Sequence, residues 1–141
     1  MKTGQKGIDL IKSFEGFRSK AYLCPAKVLT IGYGHTANVK PLDVVTEQQA
    51  VELLKQDLAW AEQVVNAEKL NINQNQFDAL VSFVFNCGSG NFKSSSLLRV
   101  IKENPNSTDI EYRFGMWNKG GGKVLAGLTR RRAAEAKLYR L

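Results

Sequence analysis

Four residues in the first quarter of this 141-residue chain have the types and spacing for chemistry: Glu15, Cys24, Thr30 and His35, the last being the only histidine. Glu15 closes a stretch in which Ile8, Ile11 and Phe14 recur every three residues. That spacing predicts a helix with Glu15 at its C-terminal end, where the macrodipole disfavours negative charge. The neighbours Phe14 and Phe17 are apolar. Both features favour a protonated carboxyl, the state that a general acid needs near neutrality. Position alone also fits a solvated glutamate paired with Arg18 or Lys20. Cys24 follows a strand-like Ala-Tyr-Leu and precedes Pro25. It fits a small buried apolar residue, or a thiol at the mouth of a site whose reactivity depends on a lowered pKa. Cys87 follows a strongly apolar segment and reads as structural. Thr30 is a strand former by type, and a lone histidine such as His35 reads as a hydrogen-bonding group rather than a catalyst.

The elements that must position these residues follow from pattern. Residues 4–14 are predicted as the first helix, stopped by Gly16. From Ala21 to Ile31 the composition turns to strand formers around Cys24-Pro25-Ala26-Lys27, a hairpin with proline in its turn. Gly32-Tyr33-Gly34 predicts a sharp bend. A long helix opens at Thr46, with Gln49 completing a capping box, and runs to about Glu68, a span of ~34 Å. Asn73–Phe85 is apolar on more than one face, as expected of a buried central helix. Helices near 95–103, 109–117 and 129–140 follow, the second opened by a capping-box match at Thr108–Glu111 and the third preceded by Gly120-Gly121-Gly122. The class is therefore α+β. A small α/β lobe with a hairpin (about 15–45) is joined by a long helix to a larger all-helical lobe (about 70–141 plus the N-terminal helix). Together they make one domain over 1–141, with the cleft between lobes as the natural ligand site.

Composition narrows the function classes. Hydrophobic residues are 43% and charged ones 23%, as in an ordinary globular chain, which excludes disorder. Twenty Lys and Arg against thirteen Asp and Glu leave +7, and residues 71–141 carry most of it, with eleven basic and five acidic side chains. An anionic target is expected: nucleic acid, a membrane face or bacterial wall polymer. No stretch approaches the ~20 apolar residues of a membrane span. The start, MKTGQKGIDLIKSFEG, reads as that of a cytosolic product. Two cysteines cannot form a multi-bridge framework, and one histidine excludes most zinc patterns. Gly32-Tyr33-Gly34 and Gly122-Lys123-Val124 lack the rest of a phosphate loop, so no nucleotide cofactor is expected. Arg130-Arg131-Arg132 point in different directions on a helix. That is less consistent with a nucleic-acid face than with packing, one arginine turning inward to a carboxylate.

Taken together, Glu15, eight residues, Cys24, five residues, Thr30 and then Ile31-Gly32-Tyr33-Gly34-His35-Thr36 resemble the catalytic segment of phage-type lysozymes, glycoside hydrolase family 24, in their lambdoid branch. Phe85–Phe92, Ser94–Arg99 and Gly121–Leu128 through the arginines to Glu135 extend the resemblance, which runs from about Gly7 to Tyr139. It implies a lysozyme-like α+β fold in an endolysin that hydrolyses the β-1,4 bond between N-acetylmuramic acid and N-acetylglucosamine in bacterial peptidoglycan. By position Glu15 would be the general acid and Thr30 would hold the water or the sugar. Cys24 stands where the wider family has an aspartate, leaving it as base, nucleophile or electrostatic partner. Thr36, Phe85 and Ser95 fall on sugar-contacting positions, Ser95 to within one residue. His35 and Asp57 are expected to form a structural ion pair, and one of Arg130–Arg132 to approach Glu15. The resemblance further implies a monomer with no metal or cofactor and no stable membrane insertion. It would be held in the host cytoplasm with both thiols free until a holin releases it to the periplasmic wall, without direct binding. A lytic transglycosylase using Glu15 alone and a non-catalytic wall-binding protein are the alternatives.

Overall fold

The computed structural model describes all 141 residues, Met1–Leu141. They gather into two compact units, one of Ile11–Ala59 and one of Met1–Leu10 with Trp60–Leu141. The first therefore takes in more than the 15–45 stretch expected for the small lobe. Helices carry most of the chain and the strands form two separate two-stranded antiparallel sheets, so the expected α+β class is the observed one.

In the smaller unit, helix α1 (Gln5–Glu15) ends because Gly16 turns to φ +74°, a conformation open to glycine, while its N–H still donates to the Lys12 carbonyl at 3.1 Å. Strand β1 (Arg18–Leu23) then pairs with β2 (Leu29–Gly32), with Tyr22 opposite Thr30 and Leu23 opposite Leu29. The expected hairpin is present, and it begins three residues before the strand-forming composition does. Its loop is closed by two bonds: Lys27 N–H to the Cys24 carbonyl at 2.8 Å, and Cys24 N–H to the Val28 carbonyl at 3.1 Å. Pro25 supplies the pre-set φ of a turn and Lys27 takes the left-handed position at φ +61°. Ile31 and His35 then exchange both backbone bonds at 2.9 Å across Gly32-Tyr33-Gly34, so the expected bend is a tight reversal. Helix α2 (Glu47–Asp57) opens on the expected capping box, Thr46 with Gln49.

The predicted helix from Thr46 to Glu68 is not continuous. It divides into α2 and α3 (Ala59–Ala67) at Leu58, which keeps φ −76° but opens ψ to −13°. Leu58 is fully buried and its N–H still reaches the Leu54 carbonyl at 2.9 Å, so the interruption is a relaxed turn rather than a stop. No glycine or proline marks it.

The larger unit is built on α4 (Gln74–Cys87), buried from Gln76 to Val84 as its apolar faces require. Its capping box, Asn73 with Gln76, escaped the sequence reading. The Asp78 carboxylate of α4 accepts from the Gly4 and Gly7 N–H groups at 2.9 and 3.2 Å, capping the start of α1 from a distant part of the chain. Gly88, at φ +93°, ends α4 and admits a short helix, α5 (Ser89–Ser94), that the sequence does not advertise. Helices α6 (Ser96–Glu103) and α7 (Ile110–Gly115) stand where expected. The Thr108–Glu111 capping box does not form: Asp109 precedes α7 without a side-chain cap, its carboxylate accepting from Arg113 at 2.7 Å, and Glu111 pairs with Arg140 at 2.7 Å. Gly121 and Gly122, at φ +58° and +80°, turn a minimal hairpin between β3 (Lys119–Gly120) and β4 (Lys123–Val124). Helix α8 (Ala126–Tyr139) closes the chain. The Phe83 ring meets those of Phe92, Phe114 and Trp117 at 5.8–6.2 Å, the aromatic centre of this unit. No helix is long and apolar enough to cross a membrane.

Candidate active site

Glu15 is the last residue of α1 and is half-buried. Its Oε1 lies 3.4 Å from where a Cβ on Gly34 would stand, so the carboxyl rests against the backbone of the Gly32–Gly34 reversal. The glycine stop ends α1 directly after the group, and a Cβ on Gly34, itself at φ +82°, would stand in ordinary van der Waals contact with it.

Cys24 begins the hairpin turn and Thr30 lies in β2, and the hairpin brings the two together. The Val28 N–H bonded to the sulfur does most to hold the Cys24 thiol below its ordinary pKa; burial opposes it, and Ala26 N–H and the Thr30 hydroxyl add to it. Cys24 is half-buried, between the two readings open to it in sequence. Thr30 is buried, and its hydroxyl also donates to the Val28 carbonyl at 2.9 Å. A hydroxyl has one proton to donate, so the Val28 carbonyl and the Cys24 sulfur compete for it.

His35 and Asp57 meet as expected. His35 Nδ1 lies 2.8 and 3.0 Å from the two Asp57 carboxylate oxygens and Nε2 lies 2.9 Å from the Ala37 carbonyl. Both ring nitrogens face acceptors, which commits the imidazole to holding α2 and the 36–38 turn rather than to catalysis. Thr36, next in sequence, is exposed. A hollow of about 870 Å³ on this part of the unit, lined by Val39, Val45, Gln49 and Leu53 among others, includes none of Glu15, Cys24 and Thr30.

In the larger unit Phe85 is half-buried against Trp60, ring centroids 6.2 Å apart and 34° between planes. Trp60 is 43% exposed; an exposed aromatic beside Phe85 carried no sequence signal, because Trp60 lies twenty-five positions away on another helix. Ser95 is buried and its hydroxyl is engaged, donating to the Phe92 carbonyl at 2.6 Å and accepting from Leu98 N–H at 3.1 Å as the cap of α6. Of the arginine run, Arg130 is exposed while Arg131 and Arg132 both turn inward, where the sequence reading expected one. Arg132 Nε lies 2.7 Å and Arg131 Nε 3.5 Å from Glu135, and Ser82 donates to the same carboxylate at 2.5 Å. Cys87 accepts from Arg132 Nη1 at 2.6 Å, and burial pushes its thiol pKa up against the pull of that guanidinium. No group of three or more His, Cys, Asp or Glu side chains able to hold a metal ion occurs.

This geometry has relatives. Residues 12–135 match the family model described as phage lysozyme, a span that takes in Glu15, the hairpin and the buried Glu135. The chain is similar to the endolysin of Bacillus phage PZA, 48% identical over 99% of this chain and 55% of that protein. It is also similar to the endolysin of Bacillus phage B103, 45% identical over 99% of this chain and 54% of that protein. It spans about half the length of these two relatives. Among solved structures, the muramidase domain of SpmX from Asticaccaulis excentricus superposes with a TM-score of 0.90 at 40% identity, covering 99% of this chain and 98% of that one. A family match over residues 12–135, with relatives 45–48% identical across 99% of the chain, places this chain in the phage lysozyme family.

Proposed function

We propose that the chain is an endolysin that hydrolyses the β-1,4 bond between N-acetylmuramic acid and N-acetylglucosamine in peptidoglycan. The observation that carries this is the Glu15 carboxyl set against the Gly34 backbone, in the same compact unit as the Cys24–Thr30 pair. Glu15 donates its proton to the bridging oxygen as the anomeric C–O bond breaks. Water then supplies hydroxide to the anomeric carbon, and its remaining proton returns to the site. Positive charge develops at that carbon, and Cys24, whose thiolate is favoured by Val28 N–H, Ala26 N–H and the Thr30 hydroxyl, stabilises it or takes the proton from water in this reading. Thr36 and Phe85 are assigned to contacts with the glycan. Ser95 is assigned to the glycan as well, to within one residue: its hydroxyl donates to the Phe92 carbonyl and accepts from Leu98 N–H, which leaves a second lone pair to accept from a sugar hydroxyl.

In the same reading the protein acts as a monomer, needs no metal or cofactor, and reaches the wall from the host cytoplasm through a holin that it does not bind. Glu15→Gln keeps the size of the side chain and removes the proton. On suspended peptidoglycan it is expected to lower clearing at least about a hundredfold, the lower range for a general acid, with an unchanged melting temperature. Clearing at the wild-type rate would remove Glu15 from the mechanism, and no clearing by the folded wild type would leave a wall-binding protein.

A further inference from the structure

Glu15 is bracketed in sequence by Lys12 and Phe17, and both touch the same side chain, Tyr33. The Phe17 and Tyr33 rings are 5.5 Å apart, and Lys12 Nζ sits 5.6 Å from the Tyr33 ring centroid. Tyr33 is the central residue of the Gly32–Gly34 reversal and is only 6% exposed, although reversals ordinarily turn their side chains to water. Its hydroxyl donates to Glu47 Oε1 at 2.9 Å, and the same oxygen lies 2.7 Å from Lys12 Nζ. Lys12 belongs to the last turn of α1, three residues before Glu15, and Glu47 is the first residue of α2, where the helix N-terminus favours a carboxylate. Three elements therefore meet on one carboxylate oxygen: the end of the helix carrying Glu15, the reversal against which its carboxyl rests, and the start of α2.

We propose that Lys12, Tyr33 and Glu47 form a positioning cluster that fixes the Gly32–Gly34 reversal against the Glu15 carboxyl and so sets where the acid presents its proton. This rests on the reading of Glu15 as the acid. None of the three touches the sugar in this proposal. Their effect passes through Gly34, the neighbour of Tyr33, whose backbone bounds Glu15 Oε1. Lys12 and the Tyr33 hydroxyl hold the Glu47 carboxyl below the usual glutamate range, so the acceptor stays ionised throughout the neutral region. The Glu47 side chain is half exposed, so water can replace the tyrosine hydroxyl at little cost to folding. The orientation of the reversal has no such substitute. Removing the hydroxyl should therefore separate stability from catalysis.

The test compares wild type, Glu15→Gln, Tyr33→Phe, Glu47→Gln and Glu47→Ala on soluble peptidoglycan fragments, with melting temperatures and the Gly34 amide resonance recorded for each. Tyr33→Phe is expected to lower kcat about tenfold, within the range that small misplacements of a reacting group produce, with KM and melting temperature nearly unchanged and the Gly34 amide shifted. Glu47→Gln keeps an oxygen for the tyrosine hydroxyl and should retain more activity than Glu47→Ala. Wild-type kcat in Tyr33→Phe, or a fall in kcat with the Gly34 amide unmoved, overturns the positioning role while Glu15 stays the acid. Wild-type enzyme that releases no more product than Glu15→Gln overturns the catalytic reading itself, and the positioning role with it.

Discussion

At Cys24 the sulfur faces the N–H groups of Val28 and Ala26 and the Thr30 hydroxyl, whereas at Cys87 burial outweighs the neighbouring Arg132. The two thiols shift in opposite directions from one ordinary value, so at any pH near neutrality Cys24 holds the larger thiolate fraction. Iodoacetamide at pH 7.5, followed by peptide mass spectrometry, should label Cys24 well before Cys87; equal rates would contradict the hydrogen-bonded thiolate. Thr30→Val removes one of the donors and should slow labelling of Cys24 without exposing Cys87. Glu15 stands out in the sequence because it breaks a local rule, an acid at a helix C-terminus beside apolar neighbours; position alone also fits a solvated glutamate, and the family resemblance is what assigns it the acid role. The surroundings of Cys24 were not, because its strongest donor is a main-chain N–H that any residue at position 28 would carry.

Among the elements, α1 shows how tertiary contact overrides propensity. Glycine in a helix is ordinarily about 1 kcal/mol worse than alanine. A Cβ on Gly7, however, would lie 2.7 Å from the Asp78 Cβ and 2.7 Å from Thr3 Cγ2, inside the buried cap of the helix. Gly7→Ala should therefore destabilise, by about 1–3 kcal/mol as overpacking does, measured by urea unfolding; a gain in stability would show that Asp78 can withdraw. Glu47 links α1 to α2 in a pH-dependent way. Its carboxyl is held below the usual range in the folded protein, chiefly by Lys12 and then by Tyr33. That contribution is complete above the unfolded-state value of about 4.3 and fades as pH falls through the folded value below it. The difference in melting temperature between wild type and Glu47→Gln should accordingly shrink between about pH 5 and pH 3; a constant difference would remove the ion pair from the balance. Thr46 with Gln49 and the proline-bearing hairpin were readable because their signals are complete within a few residues. Thr108–Glu111 has the same letters, yet Asp109 and Glu111 are drawn to Arg113 and Arg140 instead.

For the molecule as a whole, the charge excess in the second half is less of a surface than the count suggests. Arg131 and Arg132 are buried with Glu135, Arg140 pairs with Glu111 and Lys102 with Glu68. Burial pushes the Glu135 pKa up, opposed by Arg132, the Ser82 hydroxyl and Arg131. Arg132→Ala would leave that carboxylate without its nearest cation. The expected loss is about 3–5 kcal/mol, as for breaking a buried pair from one side, read by thermal or urea unfolding; a loss under about 1 kcal/mol would mean that Arg131 and Ser82 suffice. Sequence showed the arginine run and raised an inward-facing partner, but not that two arginines and a serine would converge on Glu135, since residues 82 and 135 meet only when α4 and α8 pack. The same holds for Tyr33, Glu47 and Lys12, each ordinary in its own segment.

The most direct single measurement is mass spectrometry of the products released from purified peptidoglycan by the wild-type chain beside Glu15→Gln. Hydrolysis by Glu15 requires muropeptides ending in reducing N-acetylmuramic acid, formed by the wild type and absent with the variant. Products carrying 1,6-anhydro ends, or reducing ends formed equally by both proteins, would contradict a muramidase acting through Glu15.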